Sequence, residues 1–317
     1  LGNYSPPEGR GLAEAFEPIF FNYFCLIMRN KAILLFIFGL SSLHAFCATG
    51  DSLFFKEVKA FFFKETGTSL NADLYATWKD GDEPYYYLYV SEKDTVKTPA
   101  GLKYPFVMCS SDSEASQKEL EFAGKGYAAF IYKSYANSAG VMNKRLMSYR
   151  NESKSFIVFH EMVHKYIEEQ HLKIPYEFNE ALADVIGNYG TLELSKSSKN
   201  MDKDIVEDQI KINEKIYKCI NSYVKKINSH PRKVAVLNAR CEKRVQSILK
   251  KGDLFQQDRF DYKVNNGYLL KNKFYSENYF LLKKVLQNQK SIKEFMELIK
   301  YLPGDIEGCK KYLNGFT

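Results

Sequence analysis

Ser155 to Asp184 reads SFIVFHEMVHKYIEEQHLKIPYEFNEALAD. This stretch decides the fold. Helical spacing runs from about Glu152 to His171, and Phe156, Ile157, Val158, Phe159, Met162, Val163, Tyr166 and Ile167 cover most of the helix circumference. A helix that is apolar nearly all round is buried. His160, Glu161 and His164 are then polar groups inside a core, a costly placement unless a partner satisfies them. Two histidines at i and i+4 lie on one helix face, where both imidazoles can reach one metal ion with the glutamate beside them. Pro175 breaks the pattern, and a second helix is expected from about Tyr176 to Tyr189, closing near Gly187 or Gly190.

A catalytic zinc takes three protein ligands and keeps one open position. A metzincin would place a histidine six residues after His164 with an intervening glycine. Here position 170 is Gln, position 167 is Ile and His171 is one residue late, so that spacing is absent. The second helix instead supplies Glu180 and, four residues on, Asp184, both on one face. Glu180 can be the third ligand, with Glu177 as the fallback. Asp184 can accept a hydrogen bond from the far nitrogen of a ligating histidine and so fix its tautomer.

His160-Glu161-x-x-His164 followed by Asn179-Glu180-Ala181-Leu182-Ala183-Asp184 resembles the gluzincin peptidases, the thermolysin-like and aminopeptidase-like zinc enzymes. The likeness is strong over about 155–190. It implies that His160, His164 and Glu180 bind one zinc ion per chain, that Glu161 is the general base, and that Asp184 supports a ligand from behind. Tyr275, within Phe274 to Leu282, looks like the tyrosine of the late helix that stabilises the oxyanion in aminopeptidase-like members. Tyr268, Tyr279 and His230 compete for that role. Only fifteen residues separate His164 from Glu180, fewer than in the best-known members, so a tighter connection is expected.

Outward from this unit, the expected fold class is α+β, with an N-terminal mixed β-sheet, the two zincin helices and a helical C-terminal subdomain. Residues 1–27 are expected to be an unstructured or non-native extension. Residues 28–48 have the form of a signal peptide: the basic Met28-Arg29-Asn30-Lys31, an apolar run to Leu40, then small residues. That reading makes the protein secreted or periplasmic, with no stable membrane insertion after cleavage. Residues 49–150 form the N-terminal subdomain, 151–192 the active-site helix pair and 193–317 the helical part.

In the first of these, a helix over about 51–65 precedes strands at Leu74–Trp78, Tyr85–Val90, Tyr104–Cys109 and Tyr127–Tyr135, all rich in aromatic and β-branched residues. Ser110 to Lys118 reads as a loop, with a short helix following it as the alternative, and the run Tyr85-Tyr86-Tyr87 as core packing. Downstream come two amphipathic helices meeting at Ser229-His230-Pro231, an irregular segment Asp253–Gly267, and helices at Ser276–Gln287 and Ile292–Tyr301. In an antiparallel hairpin about His230, Cys219 and Cys241 would face each other, which makes them the candidate disulfide; two buried thiols are the other reading.

The chain carries 45 Lys and Arg against 38 Asp and Glu in 317 residues, a formal charge of +7. The lysines are interleaved with acids and form no basic block of the kind that tracks a phosphate backbone, so nucleic acid is not an expected partner. A peptide or protein substrate is. The leading expectation is a secreted zinc-dependent peptidase; the alternatives are a zinc hydrolase of another amide or ester, and a non-catalytic binding protein with a relic zinc site.

Overall fold

β1 (Tyr85–Glu92) is the central strand of a three-stranded sheet in the order β2-β1-β3, with β2 at Phe106–Cys109 and β3 at Tyr127–Ser134. The computed structural model describes residues 53–317 apart from 71–73, 79–80, 82, 137–139 and 252–262. The expected extension at 1–27 and signal segment at 28–48 lie outside the described residues. Both pairings of β1 are antiparallel. The sheet is therefore antiparallel and not the mixed sheet expected. Leu74–Trp78 is not a strand: Tyr75 takes a left-handed φ of 58°, and the segment's pairing is a single bridge from Trp78 to Met142.

Side chains alternate across a strand, and β1 is covered on both faces. Leu88 and Val90 pack with Ala129 and with Phe122 of α2 (Asp112–Gly124). Tyr89 faces the other way, packing with Phe130 of β3 and with α8 (Asn266–Ser276). Of Ser110–Lys118 only the first two residues lie outside a helix; the rest is α2, which is longer than the short helix the sequence suggests. Its start was legible as a cap: Ser111 Oγ accepts the Glu114 N–H, while the Glu114 carboxylate accepts the Ser110 N–H at 2.7 Å.

The remaining architecture is helical. α1 spans 53–66, α3 Lys144–Met147, α4 Asn151–Glu169, α5 Tyr176–Ser195, α6 Lys203–Ser229 and α7 Val234–Lys251. α9 (Tyr279–Gln287), α10 (Ile292–Ile299) and α11 (Ile306–Asn314) complete the chain. One core joins α1, α4, α5, α9, α10 and α11 through residues such as Phe55, Phe159, Phe178, Leu282 and Phe295. A second joins the sheet to α6, α7 and α8. Residues 52–317 thus form one compact unit. Among the described residues, no helix is long and apolar enough to cross a membrane.

Neither Gly187 nor Gly190 ends α5. A Cβ at Gly187 would sit 3.0 Å from the Phe156 ring, and one at Gly190 3.1 Å from the Phe159 ring. The glycines let α5 approach α4 closely, and buried packing overrides their weak helix propensity. The helix expected at Ser276–Gln287 is α9, starting three residues later, whereas α8 before it is a helix that the periodicity did not predict; Asn278 between the two donates to the Glu177 carbonyl at 3.0 Å. α6 and α7 do form the antiparallel hairpin, and Cys219 and Cys241 come into hydrogen-bonding contact across it as free thiols.

α8 is pinned to the sheet at its start. Asn265 caps the helix by accepting the Tyr268 N–H, and its amide donates to the Ala129 carbonyl at 2.6 Å; the Asn266 amide reaches the carbonyls of Glu92 and Lys93. A Cβ at Gly267 would lie 2.9 Å from Phe130 N and Tyr89 O. Backbone cannot yield as a flexible side chain can, so Gly267→Val should overpack this contact by about 1–3 kcal/mol and lower the melting temperature by roughly 2–10 °C. An unchanged melt by differential scanning calorimetry would show that α8 does not depend on this close approach.

Candidate metal centre

α4 and α5 pack side by side, and their facing polar residues converge. His160 Nε2 lies 3.0 Å from His164 Nε2 and 3.5 Å from Glu180 Oε2, and His164 Nε2 lies 3.7 Å from the same oxygen. The far nitrogens are otherwise engaged. Asn179 Oδ1 accepts from His164 Nδ1 at 2.9 Å, which fixes that ring's proton on Nδ1. His160 Nδ1 lies 2.9 Å from Asp184 Oδ1, an ion-pair contact that lacks hydrogen-bond geometry. Asp184 is held in turn by Tyr217, whose hydroxyl donates to Oδ2.

Both Nε2 atoms therefore present lone pairs to each other and to a carboxylate oxygen. Such an arrangement is repulsive unless a proton or a cation lies between them. The donor separations of 3.0, 3.5 and 3.7 Å bracket the ~3.3 Å edge of a tetrahedral site with metal–ligand distances of about 2.0–2.1 Å. His160, His164 and Glu180 can hold a metal ion.

The electrostatics agree with the geometry. Burial would raise the Glu180 carboxyl, but the two imidazoles hold it well below the usual carboxylate range. Burial alone would depress His160, yet Asp184 and Glu180 lift it to about 10; His164 is raised against burial by Glu180. Without metal the cluster holds protons where a cation would sit. Glu161, half-buried and turned to the adjoining cavity, is raised by burial and by Glu180 against the pull of the histidines.

That cavity has a volume of about 800 Å³ and opens between the sheet, α4, α5 and α8. Tyr275 is part of it: its ring stacks on His160 at 6.0 Å between centroids and 17° between planes, and burial keeps its phenol protonated. Of its competitors, Tyr268 also lines the cavity. Tyr279 is buried in the core, bonded to Asn188 and Glu214, and His230 is exposed at the hairpin turn. Glu177 is not in the cluster, so the fallback ligand is not brought to the site.

Residues that the sequence reading passed over include Asn179, Tyr217 and Tyr176, the last interacting with both Tyr89 and Glu180. Tyr176 had a local signal, standing four residues before Glu180 on one helix face. Asn179 and Tyr217 had none, since each meets its partner only through tertiary packing. Tyr87, expected to be core packing, lines the cavity as well, as does Tyr89, for which the sequence suggests no role.

Comparison with protein-family models, curated proteins and solved structures yields no match to this chain. The site rests on its own geometry.

Because His160 carries a proton up to about pH 10 in the metal-free protein, metal uptake at pH 8 should release about one proton or more. Calorimetric zinc titrations in buffers of different ionisation enthalpy measure this directly. Uptake with no proton release would contradict the assigned ligand His160. The sign also fixes the stability of the metal-free protein: the His160 pairing stabilises it fully below about pH 6.5 and is lost as pH rises through 10.

Proposed function

We propose that the protein is a zinc-dependent peptidase of gluzincin type. The observation that carries this reading is the convergence of His160 Nε2, His164 Nε2 and Glu180 Oε2 beside an unpaired Glu161 carboxylate at the wall of a large cavity. Two imidazoles and one carboxylate with room for a fourth ligand match a catalytic zinc set. Among the described residues Glu161 makes no hydrogen bond or ion pair, although its neighbours on the same helix face are engaged. An uncommitted, half-buried carboxylate whose pKa is raised by burial is suited to take and return a proton.

Zinc bound at the cluster would supply Lewis acidity, acidifying a water and polarising a carbonyl. The chain's own groups do the rest. Glu161 accepts the water's proton on a carboxylate oxygen as the water's oxygen bonds to the carbonyl carbon, and delivers that proton to the nitrogen of the departing amine as the peptide C–N bond breaks. Asn179 and Asp184 hold the imidazoles in the tautomers that leave Nε2 free. Tyr275, un-ionised, offers its O–H to the oxygen that gains charge. Under the signal-peptide reading of 28–48, the reaction takes place outside the cytoplasm.

Glu161→Gln should lower kcat by about 10²- to 10⁴-fold while leaving close to one equivalent of zinc bound. Full activity in that variant would remove Glu161 from the mechanism. Purified protein without zinc, inert on a peptide library, would instead favour the non-catalytic reading.

A further inference from the structure

Three lysine and arginine side chains line the cavity: Lys133, Arg150 and Lys271. Lys133 is paired with Asp112 at 2.8 Å, and Arg150 with Glu152 at 3.4 Å. Lys271 has no carboxylate partner among the described residues. Its ammonium instead lies 4.0 Å from the centroid of the Tyr132 ring and 4.6 Å from that of Tyr275. Lys271 is surrounded by protein, with solvent reaching it through the cavity.

Ring quadrupoles attract a cation but do not neutralise it. A partly desolvated ammonium without an anion is unfavourable, and burial draws Lys271 down to about 8 despite the fields of Asp184 and Glu180. It is still charged at neutral pH. Its placement is built and not incidental. Tyr268, Lys271, Asn272 and Tyr275 form the stripe of α8 that faces the cavity, and α8 is fixed to the sheet through Asn265, Asn266 and Gly267. Tyr275 ties Lys271 to the metal cluster, with its ring 4.6 Å from the ammonium and 6.0 Å from the His160 ring. An extended peptide advances ~3.4 Å per residue, so that gap is spanned by about one to three residues.

We propose that Lys271 receives a carboxylate of the substrate, from an acidic side chain or from the chain terminus, one to three residues from the bond cleaved. This rests on the peptidase reading for the identity of the ligand as a peptide. The Tyr132 and Tyr275 rings hold the ammonium in place, and the incoming carboxylate supplies the missing counter-charge. Lys271 is thus a specificity residue, and the preferred substrates are peptides with an acidic residue or a free end near the scissile bond.

The test uses the zinc-loaded full chain and matched peptides. One set replaces a Glu by Gln at each of the three positions on either side of the cleaved bond; a second compares a free C-terminus with its amide. Wild-type protein should favour the carboxylate member by about 10- to 100-fold in kcat/KM, and Lys271→Met should bring that ratio to within about twofold of one. Lys271→Glu should favour a Lys-bearing peptide. In wild type, a kcat/KM that falls when Glu becomes Gln assigns a side chain, and one that falls when the C-terminus becomes an amide assigns the terminus.

No carboxylate preference in wild type, or an equal preference in Lys271→Met, overturns the proposal while hydrolysis itself upholds the peptidase. If no peptide is cleaved, the peptidase reading falls. Fluorescence-anisotropy binding of the same peptides then decides: discrimination lost in Lys271→Met upholds the carboxylate site, and equal binding of acid and amide members overturns it. Should Lys271→Met fail to fold, the wild-type ratio and Lys271→Gln decide between the same two outcomes.

Discussion

The structure depends on one constraint: three lone-pair-bearing atoms must be buried facing one another. His160 Nε2, His164 Nε2 and Glu180 Oε2 converge at 3.0–3.7 Å between two packed helices. In an apolar core such groups are stable only with a shared positive charge, whether protons or a metal ion. The neighbouring arrangements serve that need. Asn179 and Asp184 occupy the outer nitrogens, Tyr217 braces Asp184, and Gly187 and Gly190 allow α5 close enough to α4 for the carboxylate to arrive.

The rest of the molecule builds a wall opposite that cluster. The antiparallel sheet offers its tyrosine face, and α8 is clamped across it by two asparagine amides and by a glycine with no room for a Cβ. The clamp sets the height of Tyr275 and Lys271 above His160. A rigid support of this kind is what a binding site needs, because a displacement of an ångström at a reacting group is enough to cost much of its effect. The cavity is thus a product of two cores meeting, one under the metal cluster and one under the sheet.

Much of this was legible residue by residue. The HExxH spacing, the all-round apolar helix and the i, i+4 pair Glu180 and Asp184 depend on local periodicity, and the structure brings all of them together as the spacing requires. The β1 and β3 strands and the hairpin about His230 were readable for the same reason. What failed was also local. Aromatic content at Leu74–Trp78 suggested a strand, but among the described residues its pairing is one bridge and no continuous ladder. Gly187, Gly190 and Gly267 looked like punctuation and are packing surfaces instead. A single chain does not reveal whether a glycine serves φ or proximity.

By itself, then, the sequence determined the candidate ligands, His160 and His164 with Glu180 or Glu177, and the helices that carry them, because such a face needs only the 3.6-residue period. Only the tertiary structure decided which outer groups hold those ligands, that Glu177 stands away from them, and that Lys271 lies between two tyrosine rings without a carboxylate. The physical reason is that these relations join residues far apart in the chain. No periodicity encodes the distance between α8 and α4; that distance is set by how closely each can be packed against the sheet and α5.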